Sequence, residues 1–337
     1  MQTTKGGPDQ SLRSDDSHAG IGPSLRDIYA ARKRIMPVAR RTPLDRSLWL
    51  TELTGHDVYL KLECWQRTKS FKMRGAYNAI ASLDPQARAR GLVTASAGNH
   101  GQAVALAARE LGARAIIFVP ATAPETKKAR IRSFGAELRD EEPSYDVAQV
   151  AAQRFAQETG ATFVHAFSDA AVVAGQGTVG IEIIEDLPHV RDVLVPVGGG
   201  GLIGGIGIAL KSMSQELRVI GVQSTETPAM RLAFDAGHVT DCPIGPTLAD
   251  GLAGCVDEIS YERARLVVDE MHLVEESALP AAIRAMFKYD GIIAEGAASV
   301  CVAAIVERVV EVRGPTVLVI TGGNIDAERF ASILSSD

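Results

Sequence analysis

"DVLVPVGGGGLIGG" (192–205) sets an apolar run, four successive glycines and the start of a helical repeat in a row. The run 192–197 reads as a strand buried on both faces, the kind found inside parallel sheets. The four glycines permit unusual backbone angles and leave their amides unshielded. At the handover from strand to helix, such a loop makes a cup for an anion such as phosphate. A merely flexible turn would need neither the strand before it nor the helix after it.

Outward from this stretch the same alternation continues. "DVYLKLE" (57–63), "GLVTA" (91–95), "ARAIIFV" (113–119), "TFVHA" (162–166), "RVIGVQ" (218–223) and "TVLVI" (316–320) predict strands. Helical periodicity falls between them, over 71–83, 99–111, 123–135, 144–159, 178–187, 277–291 and 296–310. Alternating strands and helices predict an α/β fold of mostly parallel sheets with helices on both faces. The 337 residues, 46% of them hydrophobic, suffice for two domains. Residues 1–22 are polar and glycine-rich and are expected to form a disordered arm.

Composition excludes several classes. A net charge of −6 gives no sign of a nucleic-acid or membrane-surface partner. Cys64, Cys242, Cys255 and Cys301 form no CxxC pair, and the histidines show no HxxxH spacing. That argues against a zinc site or a disulfide scaffold and for a reducing, cytoplasmic compartment. No apolar run approaches membrane-spanning length.

Ligands of open parallel sheets bind beyond the carboxyl ends of the strands. Two further loops stand there: "SAGNHG" (96–101), with Ser96 as a helix cap, and "TGGNID" (321–326), where Thr321 would project a hydroxyl. The fourth element is "SFKMRGAYNAI" (70–80). Ser70 reads as its N-cap, with Lys72 in the first turn on a stripe with Ala76, Ala79 and Leu83. The helix dipole and burial both disfavour a cation there. Both favour the neutral amine that Schiff-base chemistry requires. A lysine that only lays its stem over apolar surface is the plainer alternative, and it loses ground beside a phosphate cup. A reactive amine, a phosphate cup and a strand-end hydroxyl together match pyridoxal phosphate. The glycine loop also contains a GxGxxG (Gly199, Gly201, Gly204), which would suit a nicotinamide-dependent oxidoreductase. That enzyme would need an acidic residue ending the next strand, where Gln223 stands.

These residues are familiar as a set. "RTPL" (41–44), "YLKLECWQRTKSFKMRGA" (59–76), "ASAGNHGQ" (95–102), "VAGQGTVGIEI" (173–183), "VPVGGGGLIGG" (195–205), "AEGAAS" (294–299) and "TGGNID" (321–326) run across nearly the whole chain. Together they resemble the serine/threonine dehydratase family of fold-type-II pyridoxal phosphate enzymes, threonine ammonia-lyase-like and related to serine racemase and the hydroxyectoine-utilisation dehydratases. The resemblance implies two open, twisted, mostly parallel sheets flanked by helices, as in the tryptophan synthase β-like fold. It implies a large cofactor-binding domain (23–85 plus 166–337) and a small mobile domain (86–165). Lys72 would carry the cofactor aldehyde and act as base at the substrate α-carbon. Phe71 would lie near the ring, Asn99 on its 3′-oxygen, and Thr321 at the pyridine nitrogen. Gly198, Gly199, Gly200, Gly201 and Leu202 would hold the phosphate. Ser96, Asn99 and His100 would hold the substrate, with Ala97 and Glu295 lining the site.

The implied activity is β-elimination of L-threonine or L-serine to a 2-oxo acid and ammonia. The alternatives are another 3-hydroxy amino acid, such as 3-hydroxyaspartate or an intermediate of hydroxyectoine breakdown, and a non-catalytic binding relative, against which Lys72 argues. Departures from the family refine this. Ala97 stands where racemases place an acid/base serine, so little racemisation is expected. Gln223 and Ala229 replace the carboxylates of a divalent-metal site, so no metal is expected there. Thr321 replaces the usual serine, and Lys69 the usual glycine. The chain ends soon after "TGGNID", which suggests a catabolic enzyme without a regulatory domain. The family commonly forms homodimers or higher homo-oligomers.

Overall fold

The computed structural model describes residues 21–335, and the expected N-terminal arm lies almost wholly outside them. Among the described residues there are ten strands: β1 (Leu44–Arg46), β2 (Val58–Lys61), β3 (Leu92–Ala95), β4 (Ala115–Pro120), β5 (Glu137–Glu142), β6 (Thr162–Phe163), β7 (Asp192–Pro196), β8 (Arg218–Ser224), β9 (Glu270–Val274) and β10 (Thr316–Val319). They form a six-stranded sheet of order β1-β2-β10-β7-β8-β9 and a four-stranded sheet of order β5-β4-β3-β6. Every pairing among them is parallel except β1 with β2.

Apolar strands form the interior of both sheets. β3, β7 and β10 are buried at every position, and helices cover their two faces. One core packs the Gly296–Val306 helix against β2, β7 and β10, and another packs the Gly201–Met213 helix on the opposite face. A third joins the Lys72–Ser82 and Asn99–Glu110 helices beside the four-stranded sheet.

The order places β10 and β7 side by side at the middle of the larger sheet. The loops that leave their carboxyl ends, 320–326 and 197–200, are therefore neighbours. The lysine helix is tied to the first of these: Phe71 donates its amide to the Thr321 carbonyl (3.1 Å), and Ser70 bridges to Gly322.

The lysine helix itself departs from expectation. Its N-cap position is Phe71, and the Ser70 hydroxyl is buried without a partner among the described residues. Nor is it buried on one stripe alone, for every residue from Met73 to Ile80 is buried. Arg74 shows how a charged side chain of this helix can go inside. Its guanidinium meets both oxygens of Glu63 (2.7 and 2.8 Å) and both of Glu182 (2.7 and 2.9 Å), and Lys61 joins Glu182 at 2.7 Å. Two cations and two carboxylates cancel within the cluster, so no net charge is left unpaired. Burial alone would lower the Arg74 pKa, and the two carboxylates overcome it and hold the group charged.

Candidate active site

A cavity of about 830 Å³ opens beyond the β7 and β10 ends, between the two sheets. Every residue expected at the site lines it: Phe71, Lys72, Ser96, Ala97, Asn99, His100, Gly198, Gly199, Gly200, Gly201, Leu202, Glu295 and Thr321.

Lys72 is the first residue of its helix. Its amine donates to the Ala166 carbonyl (2.9 Å) and lies 5.3 Å from the centre of the Phe71 ring. Burial lowers its pKa to about 8. The glycine loop leads into the Gly201–Met213 helix, with Gly200 in the left-handed region (φ +86°) that favours glycine. The Gly204 amide donates to the Gly200 carbonyl at 2.9 Å. The amides ahead of it lack a preceding turn and are disposed to receive an anion. Side chains would crowd this loop, since a Cβ on Gly199 would lie 2.6 Å from the Phe167 ring.

The "SAGNHG" loop is built differently from the expected capped turn. Gly98 takes the N-cap position, and the Ser96 hydroxyl accepts the Gly98 amide instead (3.2 Å). His100 turns its ring inward. Its Nε2 donates to the Val164 carbonyl (3.0 Å), while burial and then the Lys72 charge push its pKa down to about 3. A neutral imidazole offers no charge to a substrate carboxylate, so the loop would have to bind one through its amides and the Ser96 hydroxyl.

Asn99 belongs to a chain of amides that sequence reasoning missed. It donates to Glu295 Oε1 (2.7 Å) and accepts from Asn324 Nδ2 (2.7 Å). Asn324 also donates to the Thr68 carbonyl (2.8 Å), and its Oδ1 accepts from Arg130 (2.6 Å). Burial, reinforced by Asp250, lifts the Glu295 carboxyl to about 7, while the Asn99 bond works in the other direction. Lys127, one turn before Arg130, pairs with Asp250 at 2.6 Å across the cavity mouth. Gln176, from the "VAGQGT" stretch, lines the cavity and accepts the Gly75 amide (3.2 Å) in the first turn of the lysine helix.

Gln223 lies outside the cavity wall. Its amide donates to the Val197 carbonyl (3.1 Å) and accepts the Arg231 amide (2.8 Å), so both polar ends are engaged just beneath the glycine loop. Lys69 holds a left-handed backbone (φ +58°), and its carbonyl accepts the Gly323 amide at 2.9 Å. That left-handed conformation is one that glycine, the residue the resemblance led one to expect there, adopts without strain.

Residues 35–322 match the family described as pyridoxal-phosphate dependent enzyme. The chain belongs to the pyridoxal-phosphate-dependent enzymes. It is 46% identical to the L-threonine ammonia-lyase of Thermotoga maritima over 93% of this chain and 78% of that one. It is 39% identical to a catabolic L-threonine dehydratase of Staphylococcus aureus, over 92% of each. Among solved structures, maize serine racemase superimposes with a TM-score of 0.89 at 29% identity, covering 92% of this chain and 96% of that one. The threonine deaminase of T.th. gives a TM-score of 0.85 at 35% identity, covering 90% and 99%. The fold is accordingly fold type II.

The residues fit the cofactor that this pyridoxal-phosphate family uses. The glycine loop presents main-chain amides at a helix start, and the amine with a lowered pKa shares their cavity. The nicotinamide alternative has no carboxylate at position 223 to meet a ribose.

Proposed function

We propose that the protein is an ammonia-lyase that eliminates water from L-threonine and L-serine, releasing a 2-oxo acid and ammonia. One observation carries the reading: the Lys72 amine, lowered to about 8 by burial, shares a cavity with the glycine loop 198–201 and Thr321. The names of the relatives add weight to the choice of substrate.

Pyridoxal phosphate supplies an aldehyde for an amino group and a sink for the electron pair released at the α-carbon. The chain's own residues supply the rest. The amides of Gly198 to Leu202 would bind the phosphate, and Phe71 would border the ring. An Asn99 N–H would meet the ring oxygen. The Thr321 hydroxyl is uncharged, so it would leave the ring nitrogen unprotonated and favour elimination over amino transfer. The amides and hydroxyl of the Ser96–His100 loop would hold the substrate carboxylate. Lys72, once free, would take the α-proton, and its lowered pKa suits a base working near neutrality. Ala97 offers no proton to the opposite face, so racemisation would be minor.

The test is a 2-oxo acid assay on a panel of 3-hydroxy amino acids with wild type and Lys72→Ala. Turnover of threonine and serine, lost in Lys72→Ala together with the borohydride-reducible chromophore, is expected. The panel includes 3-hydroxyaspartate, because the cations of Lys127 and Arg130 line the cavity mouth. A preference for it would replace the substrate assignment while keeping the chemistry. D-serine formed as fast as pyruvate would overturn the role given to Ala97.

Residues 86–165, which hold the four-stranded sheet, would move as a small domain against 23–85 plus 166–337 and close the cavity on substrate. The protein would work in the cytoplasm as a homodimer or higher homo-oligomer. Leu48, Leu53, Phe287, Tyr289 and Ile293 are large apolar side chains left exposed, and Trp49 against Tyr289 (5.2 Å) joins the two helices that carry four of them. Such a surface suits a second copy of the chain.

A further inference from the structure

We infer that Arg130 is a positioning residue that fixes the orientation of Asn99 through Asn324. The inference rests on the reading that Asn99 meets the cofactor's ring oxygen.

A side-chain amide has two ends of nearly the same shape, one of which donates while the other accepts. Asn99 and Asn324 are joined end to end, so if one turns over, the other must follow. In the observed order Asn99 donates to Glu295 and accepts from Asn324. Its second N–H is left for the cavity that it lines. In the reversed order Asn99 would accept from a protonated Glu295 and donate to Asn324, and its Nδ2 would no longer face the Glu295 side.

Glu295 is the end at which reversal can begin. It is enclosed, and its surroundings place its titration near neutrality. Its Oε2 also accepts the Asn324 main-chain amide (3.1 Å), so a proton arriving there displaces a donor. The charged groups that act on it are Asp250, which opposes ionisation, and Lys127, which favours it. Cys64 lies behind it and is itself pushed up to about 12, by burial and then by Glu63, so it stays a neutral thiol.

Arg130 stands at the other end. Its guanidinium can only donate, and it donates to Asn324 Oδ1 at 2.6 Å. Turning Asn324 over would set N–H against N–H there, and would also give up the bond to the Thr68 carbonyl. A charge-assisted bond at this end therefore holds the whole relay in one direction while Glu295 gains or loses its proton. Arg130 is itself exposed. Its replacement should leave the fold intact and touch only the relay. Lys127, on the same helix, bonds Asp250 instead of Asn324, so it serves as a control for charge alone.

The experiment is a pH titration of the holoenzyme's visible absorption spectrum through the neutral range. It compares wild type with Arg130→Met, Arg130→Lys, Lys127→Met and Asn99→Ala. Arg130→Met should gain a spectral transition with a midpoint near 7, the value to which Glu295 is lifted. Wild type, Arg130→Lys and Lys127→Met should lack it. Titrations of wild type and Arg130→Met that superimpose would overturn the inference, as would an equal transition in Lys127→Met. A spectrum unchanged in Asn99→Ala would instead overturn the reading of Asn99 on which the inference stands.

Discussion

Burial brings the Lys72 amine down to about 8 from 10.5, and this has a thermodynamic consequence. Below about 8 the amine is protonated in both the folded and unfolded chain, and the folded state bears the whole penalty. Between about 8 and 10.5 only the unfolded chain keeps the proton, so stability recovers as pH rises through that window. The full shift amounts to about 3 kcal/mol. Lys72 touches the cavity, and water there reduces it to about 1–2 kcal/mol. In the cofactor-free protein, Lys72→Met should therefore stabilise the fold by about that amount at neutral pH, read by denaturant unfolding. A loss of stability would show that the amine is not held against its preference. The opposite sign is expected at Glu182. Burial alone would raise its pKa, but Arg74 and Lys61 outweigh this and hold it below the usual carboxylate range. Its contribution is present at neutral pH and is lost on acidification through that lowered value. Glu182→Gln leaves Arg74 and Lys61 short of a carboxylate and should destabilise the chain by about 3 kcal/mol.

At the scale of elements, the lysine helix is aligned by contacts too close for side chains. A Cβ on Gly175 would lie 2.5 Å from the Arg74 carbonyl and 2.6 Å from the Gly75 Cα. A Cβ on Gly205 would lie 2.4 Å from the Val173 carbonyl. The Ala170–Asp186 helix thus sits between the helix of Lys72 and the helix that opens the glycine cup, and it sets their spacing. Gly175→Ala should cost about 1–3 kcal/mol by overpacking. It should also lower the rate at which Lys72 is trapped by pyridoxal phosphate and borohydride, whereas Gly237→Ala, where a Cβ meets nothing within 4 Å and the cost is confined to a left-handed backbone (φ +77°), should not. These elements were legible because β7, β10 and their loops are written in consecutive apolar and glycine residues. β5 was not legible. Its sequence "ELRDEE" is charged, as suits an edge strand beside solvent, and no apolar alternation marks it. The burial of Arg74 was equally hidden, because Glu182 lies 108 positions away.

At the scale of the whole molecule, the two sheets meet across the cavity mouth through few polar bonds. Lys127 to Asp250 and Arg130 to Asn324 both join the four-stranded unit to the larger sheet's loops. Partners 123 and 194 residues apart have no signature in local sequence, which is why the lysine, the cup and Thr321 could be read and this rim could not. The Lys127 and Asp250 side chains are 35% and 49% exposed, so their pair is worth under about 1 kcal/mol. Asp250→Asn should leave the unfolding midpoint almost unchanged, yet, on the proposed division into a small mobile domain and a large one, make the two open more readily. Small-angle scattering with and without substrate would show a larger difference in that variant, and identical curves for every form would argue against domain closure. The cup has a different consequence for handling the protein. It would grip the phosphate through main-chain amides next to a helix start, with no lysine or arginine among Gly198 to Leu202. Amide dipoles at close range are screened far less by dissolved ions than long-range attraction between exposed charges. Concentrated salt should then fail to strip the phosphate group from its seat, and only a reagent that competes for the aldehyde should release the cofactor.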